Sequence, residues 1–353
     1  MSFKPIPTKD CIPTPSTLLN VALSNNIHGG FKKGSILLLL AESSTGKTAF
    51  SLSVAASCIK KKSEYGEITP IYFDKEESCN FNMESIFGIP EDSFEIVSVS
   101  NDSGRMTTLE RTFLYILKKL EEGKPYLFVI DSMSAYITES MLEVTESNIK
   151  NADKDLGSNK QSSLDIDKMC SIATVTSRYL GLLKERLAST GSFLILIQQY
   201  RENVGRTMPA ESKVKISGGK VIKYTADYII TLRKGKSIIK KAASGRDIEQ
   251  GSEIILSIDK NRSTGISDKI ILPYLKQTGF RDSRSMFEYL VTTKAIKQVG
   301  ARYTAEWLTD SDKSFYEKDI RMMIKDNPEL LDKMRDKVYE IWMEDLKSVY
   351  EDY

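Results

Sequence analysis

The pattern of apolar and polar positions is irregular at first and then settles into alternating strands and helices. Residues 1–30 carry Pro5, Pro7, Pro13 and Pro15, an apolar stretch from Leu18 to Leu23, and Gly29-Gly30, and read as a short lead-in segment. Ser35–Leu40 is a continuous apolar run, the signature of a strand buried on both faces. From Gly46 to Lys62 the spacing becomes helical. Phe50, Val54 and Cys58 recur on one face, and Lys60, Lys61 and Lys62 stand at the end where the helix dipole favours cations. Further strands are predicted over Ile68–Asp74, Tyr126–Asp131 and Phe193–Gln199, and amphipathic helices over Thr108–Glu122 and Met169–Leu187. Alternation of this kind gives an α/β fold, a mostly parallel central sheet with helices on both faces.

Two stretches interrupt the rhythm. Residues 138–166 are polar and charged and are expected to be a mobile loop, and 200–219 form a second irregular segment. Loops of that length inside a compact domain usually carry function. Beyond Leu275 the pattern changes to short helices. The expected division is therefore a lead-in at 1–30, a core at 31–276 and a small C-terminal α/β domain at 277–353.

Chemistry enters at the end of the first strand. Ala41-Glu42-Ser43-Ser44-Thr45-Gly46-Lys47-Thr48 fits the phosphate-loop pattern with Ala in place of the first Gly, between a buried strand and a helix start. Backbone N–H groups there would cradle phosphate oxygens, Lys47 would reach the β- and γ-phosphates, and the Thr48 hydroxyl would ligate Mg²⁺. Leu127–Asp131 is an apolar strand ending in an acid at the carboxyl edge, where ligands bind in such sheets, so Asp131 would support the metal. Glu76 follows the strand ending in Asp74 and is a candidate to orient an attacking water. Asp74 and Glu77 compete with it on position alone.

The order of these pieces resembles the RecA-type recombinases, and particularly the UvsX-type recombinases of bacteriophages, over roughly residues 15–342. Phe73-Asp74-Lys75-Glu76 is similar to their strand ending in Asp-x-Glu, which marks Glu76 as the catalytic glutamate. Ile195–Arg201 resembles the strand whose glutamine, here Gln199, senses the γ-phosphate and leads into the second DNA-binding loop, at about 200–219, with about 138–166 in the place of the first. Ser217–Tyr224 resembles the Gly-Gly helix that closes that loop, with Gly218, Gly219, Lys220 and Lys223. Ile258–Arg262 is similar to a cation–Asn–cation stretch whose two cations, Lys260 and Arg262, reach the ATP of a neighbouring protomer.

The resemblance implies a RecA-like P-loop ATPase core that uses ATP and Mg²⁺. Nucleotide contacts would come from Glu42, Ser43, Ser44, Thr45, Gly46, Lys47, Thr48 and Ala49, with Asn80, Phe81 and Met83 on the adenine side. The implied activity is DNA-dependent ATP hydrolysis coupled to homologous pairing and strand exchange in recombination and repair. Single- and double-stranded DNA, copies of the same chain in a helical filament, and single-strand-binding and mediator proteins are the implied partners. Two alternatives share the fold: a paralogue that binds ATP and a protein partner without strand exchange, and a ring-forming helicase motor.

Composition narrows the rest. Lys+Arg 50 against Asp+Glu 48 gives a formal charge of +2 over 353 residues, so DNA must be held by local patches and not by a generally basic coat. One patch is the second loop. Arg201, Arg206, Lys213, Lys215 and Lys220 stand against only Glu202 and Glu211 there, with glycines for close backbone approach. The basic run Arg233–Arg246 offers either a path for a second DNA strand or a solvated hairpin, and the hairpin is the favoured of the two. Cys11, Cys58, Cys79 and Cys170 are scattered and the chain has one histidine, which makes a Cys/His zinc site an unsuitable reading. With no apolar signal segment or bilayer-length run, the expectation is a cytoplasmic protein, on the nucleoid or in an infected host cell if phage-encoded.

Overall fold

A computed structural model describes residues 4–98, 104, 107–152, 171–199, 219–309 and 314–350. Its strands are β1 (Cys11–Ile12), β2 (Phe31–Lys32), β3 (Ile36–Ala41), β4 (Thr69–Asp74), β5 (Glu95–Ser98), β6 (Tyr126–Asp131) and β7 (Phe193–Gln199). They continue with β8 (Tyr228–Lys241), β9 (Asp247–Asn261), β10 (Lys269–Leu275), β11 (Gly279–Phe280), β12 (Lys297–Val299) and β13 (Arg302–Thr304). The helices are α1 (Thr17–Ser24), α2 (Lys47–Lys60), α3 (Lys62–Tyr65), α4 (Met83–Phe87), α5 (Leu109–Leu120) and α6 (Glu139–Ala152). After them come α7 (Ile172–Thr190), α8 (Gly219–Thr225), α9 (Asp282–Thr292), α10 (Ile320–Asp326) and α11 (Glu329–Tyr350).

Nine strands form one sheet in the order β11-β10-β9-β8-β3-β7-β6-β4-β5. From β8 to β5 every neighbouring pair is parallel, and β9, β10 and β11 extend the sheet in antiparallel fashion. This is the mostly parallel α/β architecture that the alternating pattern implies. The period of two along each strand splits the core between the faces. Leu37 and Leu39 of β3 join the cluster that contains α2, α9 and α11, whereas Ile36, Leu38 and Leu40 join the one that contains α5 and α7. The amino-terminal residues belong to the first cluster. All of α1 is buried, Ser16 caps it by accepting from the Leu19 N–H, and Leu19, Val21 and Leu23 enter the core shared with α9 and α11.

One expectation fails in part. The polar composition from 138 onward suggests a loop, yet Glu139–Ala152 is helical. The Thr138 hydroxyl accepts from the Met141 N–H in the manner of a helix cap, and Glu139 stands in the first turn where the dipole favours an acid. Polar composition of this kind hides a helix from a search for an apolar stripe. Residues 153–166 lie outside those described. The basic run from Arg233 falls on the β8–β9 hairpin and is mostly exposed, which either reading of it requires. Among the described residues no helix is long and apolar enough to cross a membrane.

Candidate nucleotide site

The register brings four strand ends to one sheet edge. Ala41 of β3 lies beside Gln199 of β7, Ile130 of β6 beside Leu196, and Asp74 of β4 beside Asp131. The loop after Ala41 turns into α2 through Gly46, whose φ of +86° is left-handed and excludes most other residues. No side chain caps the start of α2, so its first N–H groups face the cleft with the dipole behind them. Thr45 steadies the loop by donating to the Glu42 carbonyl at 2.8 Å.

A cleft of about 450 Å³ opens there, lined by Ser43, Ser44, Gly46, Lys47, Thr48 and Ala49 and, across from them, by Glu76 and Gln199. Glu76 is held in place. Its carboxylate accepts from the Gln199 amide at 2.9 and 3.2 Å and from the Ser132 hydroxyl, with the Lys47 ammonium 3.8 Å away. The competing acids are placed differently. Both Asp74 oxygens are engaged by the backbone N–H groups of Ser78 and Cys79, and Glu77 does not line the cleft.

Asp131 is fully buried. One oxygen, Oδ2, accepts from the Thr48 and Tyr72 hydroxyls, each at 2.7 Å, while Oδ1 is buried with no hydrogen-bond partner. Burial pushes the Asp131 carboxyl above its ordinary range, against the hydroxyls and Lys47, which pull it down. An orphaned carboxylate oxygen beside a threonine hydroxyl is an all-oxygen donor set, and it fits a hard divalent cation such as Mg²⁺.

The rest of the cleft was not legible as a site. Its far wall is formed where β8, β9 and β10 run past the strand ends, bringing in Ile254, Tyr274 and the charged trio Lys234, Glu249 and Lys276. Phe81 lines it as well, whereas Asn80 and Met83 do not. Only the pairing of β9 with β10 brings Tyr274 to a loop that ends more than two hundred residues earlier. No local motif marks it.

Lys260 and Arg262 stand apart from all of this. Lys260 pairs with Ile229 near the start of β8, at the opposite edge of the sheet. Lys260 Nζ donates to the Lys223 and Tyr224 carbonyls, and Arg262 donates to the Tyr224 carbonyl and to Asp227. Of the expected DNA contacts, Arg201, Arg206, Lys213, Lys215 and Gly218 lie outside the described residues. Gly219 and Lys220 open α8, and Lys223 stands near its end.

Comparison with known proteins decides the family. A family model described as the RecA N-terminal domain matches residues 5–265. The chain belongs to the RecA family. Proteins named RecA from Malacoplasma penetrans and Bifidobacterium breve are 22% and 24% identical over 322 and 335 residues. Those matches cover 91% and 95% of this chain, and 86% and 74% of the two relatives. A RecA protein from Xylella fastidiosa strain M12 is 24% identical over 305 residues, 86% of this chain and 77% of its own length. Membership makes the protein a DNA-dependent ATPase of DNA recombination and repair that works with ATP and Mg²⁺. DNA binding and filament formation come with the family.

Proposed function

We propose that the protein is a UvsX-type recombinase that polymerises on single-stranded DNA, holds ATP between protomers, and catalyses homologous pairing and strand exchange. The observation that carries this reading is the separation of two half-sites. The phosphate loop, Glu76 and Gln199 share one edge of the sheet, whereas Lys260 and Arg262 stand at the other, out of reach within one chain. A second copy set against the first completes the site.

In this reading Lys47 and the α2 amides bind the phosphates, Thr48 and Asp131 hold Mg²⁺, and Phe81 and Tyr274 flank the base. Held by Thr48 and Asp131, the ion would supply positive charge to offset the negative charge that develops on the transferring phosphoryl group. Glu76 accepts a proton from the attacking water and orients it, and its grip by Gln199 and Ser132 limits it to one direction. Gln199 ends the strand from which residues 200–219 depart, so the bond it makes to Glu76 links the phosphate end of the cleft to the DNA loop. Lys260 and Arg262 stabilise transferring charge from across the boundary. Residues 31–276 act as the ATPase core and 277–353 as a C-terminal domain. The setting is the cytoplasm, on a nucleoid or in an infected host cell, with single-strand-binding and mediator proteins as further partners.

Electron microscopy with ATP and single-stranded DNA tests the proposal. A helical filament is expected for the wild type and none for Lys47→Ala. A closed ring would favour a helicase motor, and absence of any assembly would favour a paralogue without strand exchange.

A further inference from the structure

Three cations converge on the last turn of α8. Lys184 donates to the Thr225 carbonyl at 3.2 Å, Lys260 to those of Lys223 and Tyr224 at 2.8 and 3.2 Å, and Arg262 to that of Tyr224 at 2.8 Å. Helix carbonyl ends attract cations but carry only partial charge. Among the described residues one carboxylate, that of Asp227, is in ion-pair range of two of the three, Lys184 and Arg262. Its Oδ1 accepts from Lys184 at 2.7 Å and from Arg262 at 3.3 Å, and its Oδ2 is tied to the Ile36 N–H at 3.0 Å. The backbone repeats the connection, since Asp227 N–H donates to the Ile36 carbonyl and Arg262 N–H to the Asp227 carbonyl. Asp227 is buried at 9% exposure. Three cations against one carboxylate leave an excess of two positive charges. Lys260 registers the crowding, for burial and the nearby Arg262 both lower its pKa.

We infer that Asp227, with Lys184, is the positioning residue that fixes Arg262, which shares the Tyr224 carbonyl with Lys260, for use by the neighbouring protomer's nucleotide. The inference rests on the between-protomer reading above and adds to it the part that holds the cations in place. Asp227 anchors Arg262 to β3, the strand whose other end carries the phosphate loop. The carboxylate stands between cations that would otherwise repel one another. The excess charge remains available to an anion from outside the chain. Because the carbonyl acceptors belong to α8, any movement of that helix where the 200–218 segment returns reaches the cations directly. Asp227 itself touches no substrate.

The test measures ATP hydrolysis on single-stranded DNA for Asp227→Asn and Arg262→Ala, alone and mixed with Lys47→Ala, with co-assembly verified by pull-down through a tag on one partner. Asn can still accept from the Ile36 N–H but carries no charge. Asp227→Asn should keep wild-type affinity for ATP in the isolated protomer and lower kcat by about 10- to 100-fold, as a displaced group does, with KM little changed. Mixing with Lys47→Ala should restore activity, because the latter supplies intact cations to the former's working phosphate loop. A purely structural defect would give no such recovery. Wild-type kcat in Asp227→Asn would overturn the inference, as would a loss that mixing fails to restore while the Arg262→Ala mixture recovers. Failure of the Arg262→Ala mixture would instead remove the between-protomer reading, and this inference with it. Should Asp227→Asn not fold, Lys184→Met leaves the carboxylate on Ile36 and carries the same test. A smaller loss with the same recovery is expected there, and unchanged kcat counts against the role.

Discussion

The Asp131 carboxylate is costly to the folded chain on its own. It is fully buried, Oδ1 has no partner, and burial disfavours its charge. Asp131→Asn keeps an oxygen for Thr48 and Tyr72 and removes the charge. The nucleotide-free variant should therefore melt roughly 1–3 °C higher than wild type while losing Mg²⁺-dependent hydrolysis. Calorimetry beside an ATPase assay checks both, and a lower melting point would mean that the charge is not the strained element. Glu76→Gln separates binding from chemistry in the same cleft. The amide preserves an acceptor for Gln199, so ATP-dependent DNA binding should persist while turnover falls by about 10²-fold or more. Retained turnover would move the water-orienting role elsewhere. Position at a strand end leaves Glu76 level with Asp74 and Glu77, because it says nothing about where an acid points. What separates them is local: the N–H groups of Ser78 and Cys79 close around Asp74, and the Gln199 amide reaches Glu76.

Among the elements, the antiparallel extension of the sheet carries the most consequence for the cleft. Gly251 of β9 lies against Tyr274 of β10, and a Cβ there would overlap the Tyr274 carbonyl oxygen and crowd the Leu275 Cα. These are backbone atoms of β10, so no flexible side chain is there to yield. Gly251→Ala should cost about 1–3 kcal/mol and weaken ATP binding, because Tyr274 and Ser252 wall the cleft beside it. A denaturant melt and a nucleotide titration read the two effects, and unchanged values would show that the β9–β10 pairing adjusts freely. The parallel strands β3, β4, β6 and β7 were legible because burial on both faces writes an unbroken apolar run. Helix α6 was not, since it rests on Thr138 as cap and on a polar, charged sequence. The wall made by β9 and β10 was illegible for another reason. Its contribution depends on pairing register, and a sequence pattern does not fix which strand lies beside which.

At the scale of the whole molecule, the near balance of charge makes DNA binding a matter of where the cations are gathered. A net charge of +2 gives little long-range attraction, whereas five cations against two acids between Arg201 and Lys220 concentrate it in one segment. That segment leaves the sheet at Gln199, which holds Glu76, and returns at α8, whose final carbonyls hold Lys260 and Arg262. Both ends of the proposed DNA loop are thus bonded to groups assigned to ATP, one in each half-site. ATP should accordingly favour one arrangement of the loop, and DNA should raise turnover in return. If the loop is the principal single-strand binding element, replacing Arg206, Lys213 and Lys215 by Ala should weaken binding in ATP and flatten its salt dependence together. Each cation removed from a single-strand phosphate lowers the slope of log affinity against log salt by about 0.7, so three lower it by roughly two units, with little dependence on base sequence. Fluorescence anisotropy across a salt series measures affinity and slope at once. A triple variant with wild-type values of both would place the DNA elsewhere, with the exposed basic hairpin from Arg233 to Arg246 as the next segment to neutralise.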